Sequence, residues 1–275
     1  MRAFSSALVL VALIAPAQVH AVPGDPAVAA RFINQLGLDL LSSATAPAKN
    51  ALLSPYSIQS ALAMTYAGAD GETKREMATV LHYPDEPGEP HESLHELQSL
   101  LDQIAADTAK DAAAHGSGDP ITFVVANRLF GQEGYEFRKS FTEFVQQKYN
   151  APMQLMDFKR SAEKARIDIN AWVEAQTRKR IRDLIPDGAL NSATRLVLVN
   201  AIYLKAPWAQ PFSESATQSR PFHIDGAAVV DVPTMRQERE LGLARQDGYT
   251  AITIPYLSGQ LQFLIDLSFD QRIRW

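Results

Sequence analysis

Apolar residues recur at helical spacing through the first half of the chain and at strand spacing through the second. Between Pro26 and Ser43, Ala29, Ile33, Leu36 and Leu40 share one helical face, which Gly37 weakens. A short apolar strand over residues 50–53 then runs into Ser54 as N-cap and Pro55 as first helical residue, where a proline loses no needed N–H. Ile58, Ala61, Leu62 and Thr65 line that helix, and Gly68 stops it. Thr73 with Glu76 spells a capping box, opening a helix whose buried face is Met77, Val80 and Leu81. Pro84 to Pro90 is a loop, and His91 to Lys110 a helix facing inward with Leu94, Leu97, Leu101 and Ile104. Asp111 to Pro120 is small and polar and reads as a loop.

Further on, Ile121 to Phe130 predicts a strand, Phe141 to Tyr149 a helix, Met153 to Phe158 a short strand and Ser161 to Ile181 a long helix carrying Ile169, Trp172 and Val173. Arg195 to Lys205 is the clearest strand. It is apolar on both faces, as in a sheet covered on both sides. After Trp208 the pattern is strand and turn: residues 221–224, 228–234, 250–255 and 260–267. Helices first, helices interleaved with strands next and a β-rich end make an α+β protein without an internal repeat or linker.

Composition narrows the function. The 275 residues are 46% apolar and 21% charged, enough for a sizeable core. The formal net charge is −5 with both signs mixed along the chain, so no concentrated basic face points to nucleic acid. The one basic run, Arg178-Lys179-Arg180-Ile181-Arg182, ends a helical pattern, where cations are favoured. The absence of cysteine excludes thiol nucleophiles, zinc–thiolate sites and a disulfide framework. At the start, Arg2, an apolar run from Ala7 to Ala15, Pro16 and the small residues around Val19-His20-Ala21 have the shape of a secretory signal peptide over residues 1–21. The run is too short for a membrane anchor, and no other segment is long and apolar enough to span. The expectation is a secreted or periplasmic protein with no membrane or nucleic-acid partner.

Two enzyme readings compete. His91-Glu92-Ser93-Leu94-His95 is H-E-x-x-H, which on a helix puts two imidazoles on one face and a carboxylate beside a metal-bound water. Its setting is poor: it follows Pro90 directly, Glu96 makes it wet and acidic, and no third ligand stands out. A serine hydrolase would need a Gly-x-Ser-x-Gly elbow, which is missing, and His82, His115 and His223 follow no triad order.

A third reading comes from Asn50-Ala51-Leu52-Leu53-Ser54-Pro55-Tyr56-Ser57-Ile58, which resembles the serpin family. The resemblance continues through Ala126-Asn127-Arg128-Leu129-Phe130, Ile169-Asn170-Ala171-Trp172-Val173, Leu198-Val199-Asn200-Ala201-Ile202-Tyr203 and Val232-Pro233-Thr234-Met235, in order over roughly residues 27–266. It implies a fold of three sheets with about nine helices, as a single domain over residues 22–275. It also implies a mechanism without turnover. A reactive loop is offered as bait, the protease cleaves it and becomes acylated, and the cut loop inserts into the large sheet and distorts the protease. Ser54, Ser57 and Asn200 then correspond to the shutter, the polar cluster where the sheet opens. Trp208 and Thr217 correspond to the breach, where insertion begins. No residue is catalytic, and neither cofactor nor metal is implied. The partner is a serine or sometimes a cysteine protease, and the complete protein is expected to be a monomer. A non-inhibitory, binding member of the family is the alternative.

Two departures from the family pattern stand out. Arg178-Lys179-Arg180 replaces Asn-Gly-Lys, and Ser268 to Trp275 matches nothing in the family. The family continues about a hundred residues further, through the reactive loop. The expectation is a chain truncated before that loop and inactive as it stands, with the Arg195 to Lys205 strand left as an aggregation-prone edge.

Overall fold

The structure is a computed structural model that describes residues 8–10, 24–44, 50–84, 89–115, 118–224 and 228–268. Among these residues lie nine strands and six α-helices. In order they are β1 (Leu8–Leu10), α1 (Pro26–Ala44), α2 (Pro55–Ala67), α3 (Gly71–Val80), α4 (Glu89–His115), β2 (Thr122–Gln132), α5 (Lys139–Tyr149), β3 (Met153–Met156), α6 (Phe158–Gln176), β4 (Leu196–Lys205), β5 (Gln218–Ile224), β6 (Ala228–Thr234), β7 (Gly242–Gln246), β8 (Tyr249–Pro255) and β9 (Gln262–Ser268). This is the α+β arrangement expected from the hydrophobic pattern.

The chain forms two compact units, one from residues 15–103 and 122–204, the other from residues 1–14, 104–121 and 205–275. In the first, a three-stranded sheet of order β3-β2-β4 carries α6, which packs on β2. Phe130, Phe158, Ile169 and Val173 are at most 1% exposed and join Ala126, Val199 and Ala201 in one apolar core. Trp172 meets Phe130 edge-to-face at 5.7 Å while the Arg128 guanidinium lies 4.8 Å over its ring. Asn170 holds the segment after α6 in place, donating to the Ile185 carbonyl and accepting from its N–H, both at 2.9 Å. Helices α1, α3 and α5 pack around α2. A Cβ at Gly37 of α1 would fall 2.6 Å from Pro55 Cγ, so the glycine that weakens α1 as a helix is what lets the Pro55 end of α2 come close.

In the second unit, β8 is flanked by β7 and β9, and β1 pairs antiparallel with β9, Leu10 opposite Leu264. Strands β5 and β6 form a separate antiparallel hairpin, Gln218 opposite Thr234.

Several expectations shift at element ends. Residues 50–53 form no strand, and Leu52 is 92% exposed, because no strand pairs with this segment. Helix α3 starts before Thr73. Its N-cap is Asp70, whose carboxylate accepts from the Gly71 N–H at 2.8 Å, so the capping box is not used. No residue within α3 is buried, and Leu81 is buried just beyond it. Helix α4 runs on to His115, through half of the expected loop. Helix α6 begins at Phe158, breaks helical geometry at Ser161 and ends at Gln176, because Arg178 and Lys179 adopt φ of 50° and 62°. Strand β4 is an edge of its sheet among the described residues and half-buried along most of its length, where a strand covered on both faces was expected. Strand β7, with Gly242, Arg245 and Gln246 around Leu243 and Ala244, carries little strand signal and exists through pairing with β8. Most of the leader-like stretch lies outside the described residues.

Candidate functional site

The polar residues that matter most sit where β2 and β4 face α2. Ser57 lies in the first turn of α2, which Pro55 starts and the Ser54 carbonyl closes by accepting from the Ile58 N–H at 3.0 Å. Asn127 and Asn200 lie midway along β2 and β4, half-buried among apolar neighbours. Ser57 Oγ donates to Asn200 Oδ1. Asn200 Nδ2 donates to Asn127 Oδ1 at 2.6 Å, and Asn127 Nδ2 donates to the Tyr149 carbonyl at 2.9 Å. A directed chain of hydrogen bonds therefore links one helix, two neighbouring strands and the end of α5. Amides and hydroxyls both donate and accept, so such a chain can change partners when strands part, where an apolar plug could not. It holds no nucleophile–base pair.

Ser57 and Asn200 are thus joined directly. Ser54 is exposed at the N-cap of α2, and its side chain makes no capping bond. Asn127 is the member that sequence reasoning missed. A signal was present, an amide midway along an apolar strand, but its partner Asn200 is 73 residues away.

Beside this chain, Tyr56 Oη donates to Gln98 Oε1 at 2.5 Å, and Gln98 Nε2 donates to Asp102 at 2.9 Å. Burial pushes the Tyr56 hydroxyl well above its ordinary range, with Asp102 adding to the effect against the opposing Ser60 hydrogen bond, so it stays a donor.

Trp208 belongs to the β-rich unit. It stacks on Tyr256 with ring centroids 4.6 Å apart and planes within 7°, and meets Phe263 edge-to-face at 5.7 Å. The Ala209 N–H donates to the Pro255 carbonyl at 3.1 Å and the Leu257 N–H to the Pro207 carbonyl at 2.8 Å, tying the tryptophan to the end of β8. Thr217 closes a short 3-10 turn at Glu214–Ala216 and leads into β5. No described contact joins it to Trp208.

The H-E-x-x-H residues do not converge on a common point. His91 Nδ1 meets Tyr149 Oη, His95 Nδ1 donates to the Lys148 carbonyl at 3.1 Å, and Glu92 pairs with Lys148 Nζ at 2.7 Å. Among the described residues no three ligating side chains gather.

Comparison with known proteins agrees with this arrangement. The family model described as Serpin (serine protease inhibitor) matches residues 31–273. Leukocyte elastase inhibitor from Bos taurus is 36% identical, aligned over 82% of this chain and 56% of its own length. Serpin B9 from Homo sapiens is 37% identical with the same coverage. Among solved structures, emu ovalbumin (Dromaius novaehollandiae) superposes with a TM-score of 0.76 at 26% identity, covering 90% of this chain and 64% of its own. The chain therefore spans a little over half the length of these curated relatives, 56% in both cases.

The relatives also correct the expectation of secretion. Leukocyte elastase inhibitor and Serpin B9 are intracellular serpins and point away from an exported protein. A short apolar run has the same composition in a leader and in a strand, and here Leu8–Leu10 pairs with β9. The family match over residues 31–273, the fold and the order of motifs along the chain together place it in the serpin family.

Proposed function

We propose that the whole protein inhibits a serine protease as a suicide substrate, through a reactive loop. The protease's serine oxygen attacks the scissile carbonyl and the amine leaves with a proton. An acyl-enzyme ester remains, trapped as the cut loop joins the sheet. Insertion needs neighbouring strands to part over a surface that can exchange hydrogen bonds. The single observation that carries this reading is the chain Ser57–Asn200–Asn127 between α2, β4 and β2. Ser57 and Asn200 are the shutter's working members, with Ser54 at its margin. Trp208 and Thr217 mark the breach. The chain's own residues perform no catalysis, and residues 22–275 belong to a single serpin domain that works as a monomer.

The relatives called leukocyte elastase inhibitor make elastase the first protease to try. The full-length protein is expected to form a complex with it that survives denaturing gel electrophoresis. No reactive-loop segment is recognised in residues 1–275, so the 275-residue chain alone is expected to leave the protease active. Cleavage of the full-length protein without a stable complex, across elastase-, trypsin- and chymotrypsin-like enzymes, would replace this reading with a non-inhibitory member. Ovalbumin-like members, such as the emu protein on which the chain superposes, are the example of that second reading.

A further inference from the structure

The H-E-x-x-H stretch, whose side chains do not converge on a common point, grips one turn of a neighbouring helix. His91 Nδ1 meets Tyr149 Oη, Glu92 pairs with Lys148 Nζ at 2.7 Å, and His95 Nδ1 donates to the Lys148 carbonyl at 3.1 Å. All three contacts fall on the last turn of α5, which Asn150 closes in the left-handed conformation at φ 48°. The last four carbonyls of a helix lack intrahelical partners. His95 satisfies that of Lys148, and Asn127 Nδ2 satisfies that of Tyr149 at 2.9 Å. The hydrogen-bond chain from Ser57 therefore ends on the same turn that His91 to His95 hold.

His91 is 7% exposed and ringed by Tyr66 of α2 and by Phe144 and Tyr149 of α5, with centroids 5.7, 5.0 and 5.8 Å away. The charged groups that bear on it are Lys74 from α3, Lys148 from α5 and Glu92 from its own helix, while α2 presents the Tyr66 ring. Burial lowers its basicity to about 4, Lys74 and Lys148 act in the same direction, and Glu92 opposes them. A neutral imidazole can accept a hydrogen bond from the Tyr149 hydroxyl; an imidazolium meets that oxygen only as a donor, and it brings a positive charge into a buried ring beside Lys74 and Lys148.

We infer that His91 to His95 form an acid-released clamp: neutral His91 fixes the last turn of α5 so that the Tyr149 carbonyl orients Asn127 toward Asn200, and proton uptake by His91 frees that turn and loosens the Ser57–Asn200–Asn127 chain. The bearing of this clamp on inhibition rests on the shutter reading, but the coupling between the two does not. The sign follows from the lowered basicity. The unfolded chain takes up the proton first as pH falls. The clamp's contribution is therefore complete above the ordinary value of 6.5 and is lost as pH falls from there through about 4.

Hydrogen exchange of the full-length protein tests the coupling, read by mass spectrometry from about pH 7.5 to about pH 3.5 and corrected for the intrinsic chemical rate. Peptides covering residues 144–150, 124–130 and 198–203 are expected to speed up together by about a hundredfold or more, tenfold for each pH unit between about 6.5 and about 4. His91→Gln should abolish that pH step. Tyr149→Phe, which keeps the ring and removes the hydroxyl, should uncouple the step from residues 124–130 and 198–203 and serves where the glutamine variant does not fold. A pH step unchanged in both variants, or one confined to residues 144–150 in the unmodified protein, overturns the inference. Asn200→Ala separates the two readings. Normal protease complex formation in that variant, with the pH step at residues 144–150 intact, removes the shutter and leaves the clamp. A defective complex alongside an absent step in the unmodified protein does the reverse.

Discussion

Strands β2 and β5 are both apolar in places, yet they live in different surroundings. In β2, Leu129 and Phe130 are at most 1% exposed and α6 packs across the strand. In β5 every residue is exposed, Phe222 at 53%, and the hairpin partner β6 is itself mostly open. Both strands pair with a neighbour, β2 with β3 and β5 with β6. The difference lies in what covers the face, and it teaches that strand pattern sets pairing while a packed helix sets burial.

The largest effect should come from testing that contrast with one change in each strand. Phe130→Ala removes a 1% exposed ring that packs against Trp172, and should cost about 3–5 kcal/mol. Phe222→Ala removes a ring already 53% exposed, and should cost under about 1 kcal/mol. Urea unfolding of the full-length protein with both variants measures the two losses. Equal losses would mean that the β5–β6 hairpin is covered by something in solution, and the contrast would fall.

Polar groups sharpen the same comparison. Asn200→Ala leaves Ser57 Oγ without its acceptor and Asn127 Oδ1 without its donor, in a half-buried setting. The loss should be about 1–3 kcal/mol, since an unsatisfied buried group costs more than the bond it loses. Ser57→Ala, which orphans only Asn200 Oδ1, should cost less, about 1 kcal/mol. A double-mutant cycle between these positions should show coupling. Strict additivity would mean that the chain seen here does not act as a unit.

Much of this was open to reading and some was not, for reasons that particular residues make plain. The β4 strand, the Pro55 helix start and the α6 face carry their own signal, because β-branched runs, proline and 3.6-residue periodicity act locally. Residues 50–53 and 242–246 went opposite ways. The first has strand composition and no partner, and the second has a partner and little strand composition. Asp70 displaced the Thr73 capping box because Gly71, at φ 56°, lets the helix begin three residues earlier. At the site, Ser57 and Asn200 could be named through the family resemblance, while Asn127 and His91 could not. Their roles are contacts with α5 and with residues tens of positions away, and only the fold brings those together.

The smallest predicted effect is a gain. Where the family prefers Asn-Gly-Lys, this chain places Arg178 and Lys179 in consecutive left-handed conformations, at φ 50° and 62°. Both side chains are exposed. The Arg178 guanidinium lies 5.4 Å from the Tyr203 ring centre and gains something from that contact, but no contact of the Lys179 side chain offsets its backbone strain among the described residues. The Lys179 N–H donates to the Glu174 carbonyl at 2.7 Å, a bond that glycine would keep. Lys179→Gly should therefore stabilise the protein by about 1 kcal/mol, the strain of a left-handed non-glycine residue less the extra freedom of glycine in the unfolded chain. Arg178→Gly, which also gives up the ring contact, should gain less. Thermal midpoints of the two variants decide it. A lower midpoint for Lys179→Gly would show that the lysine makes a contact worth more than the strain, and that the basic turn is held for something other than the fold.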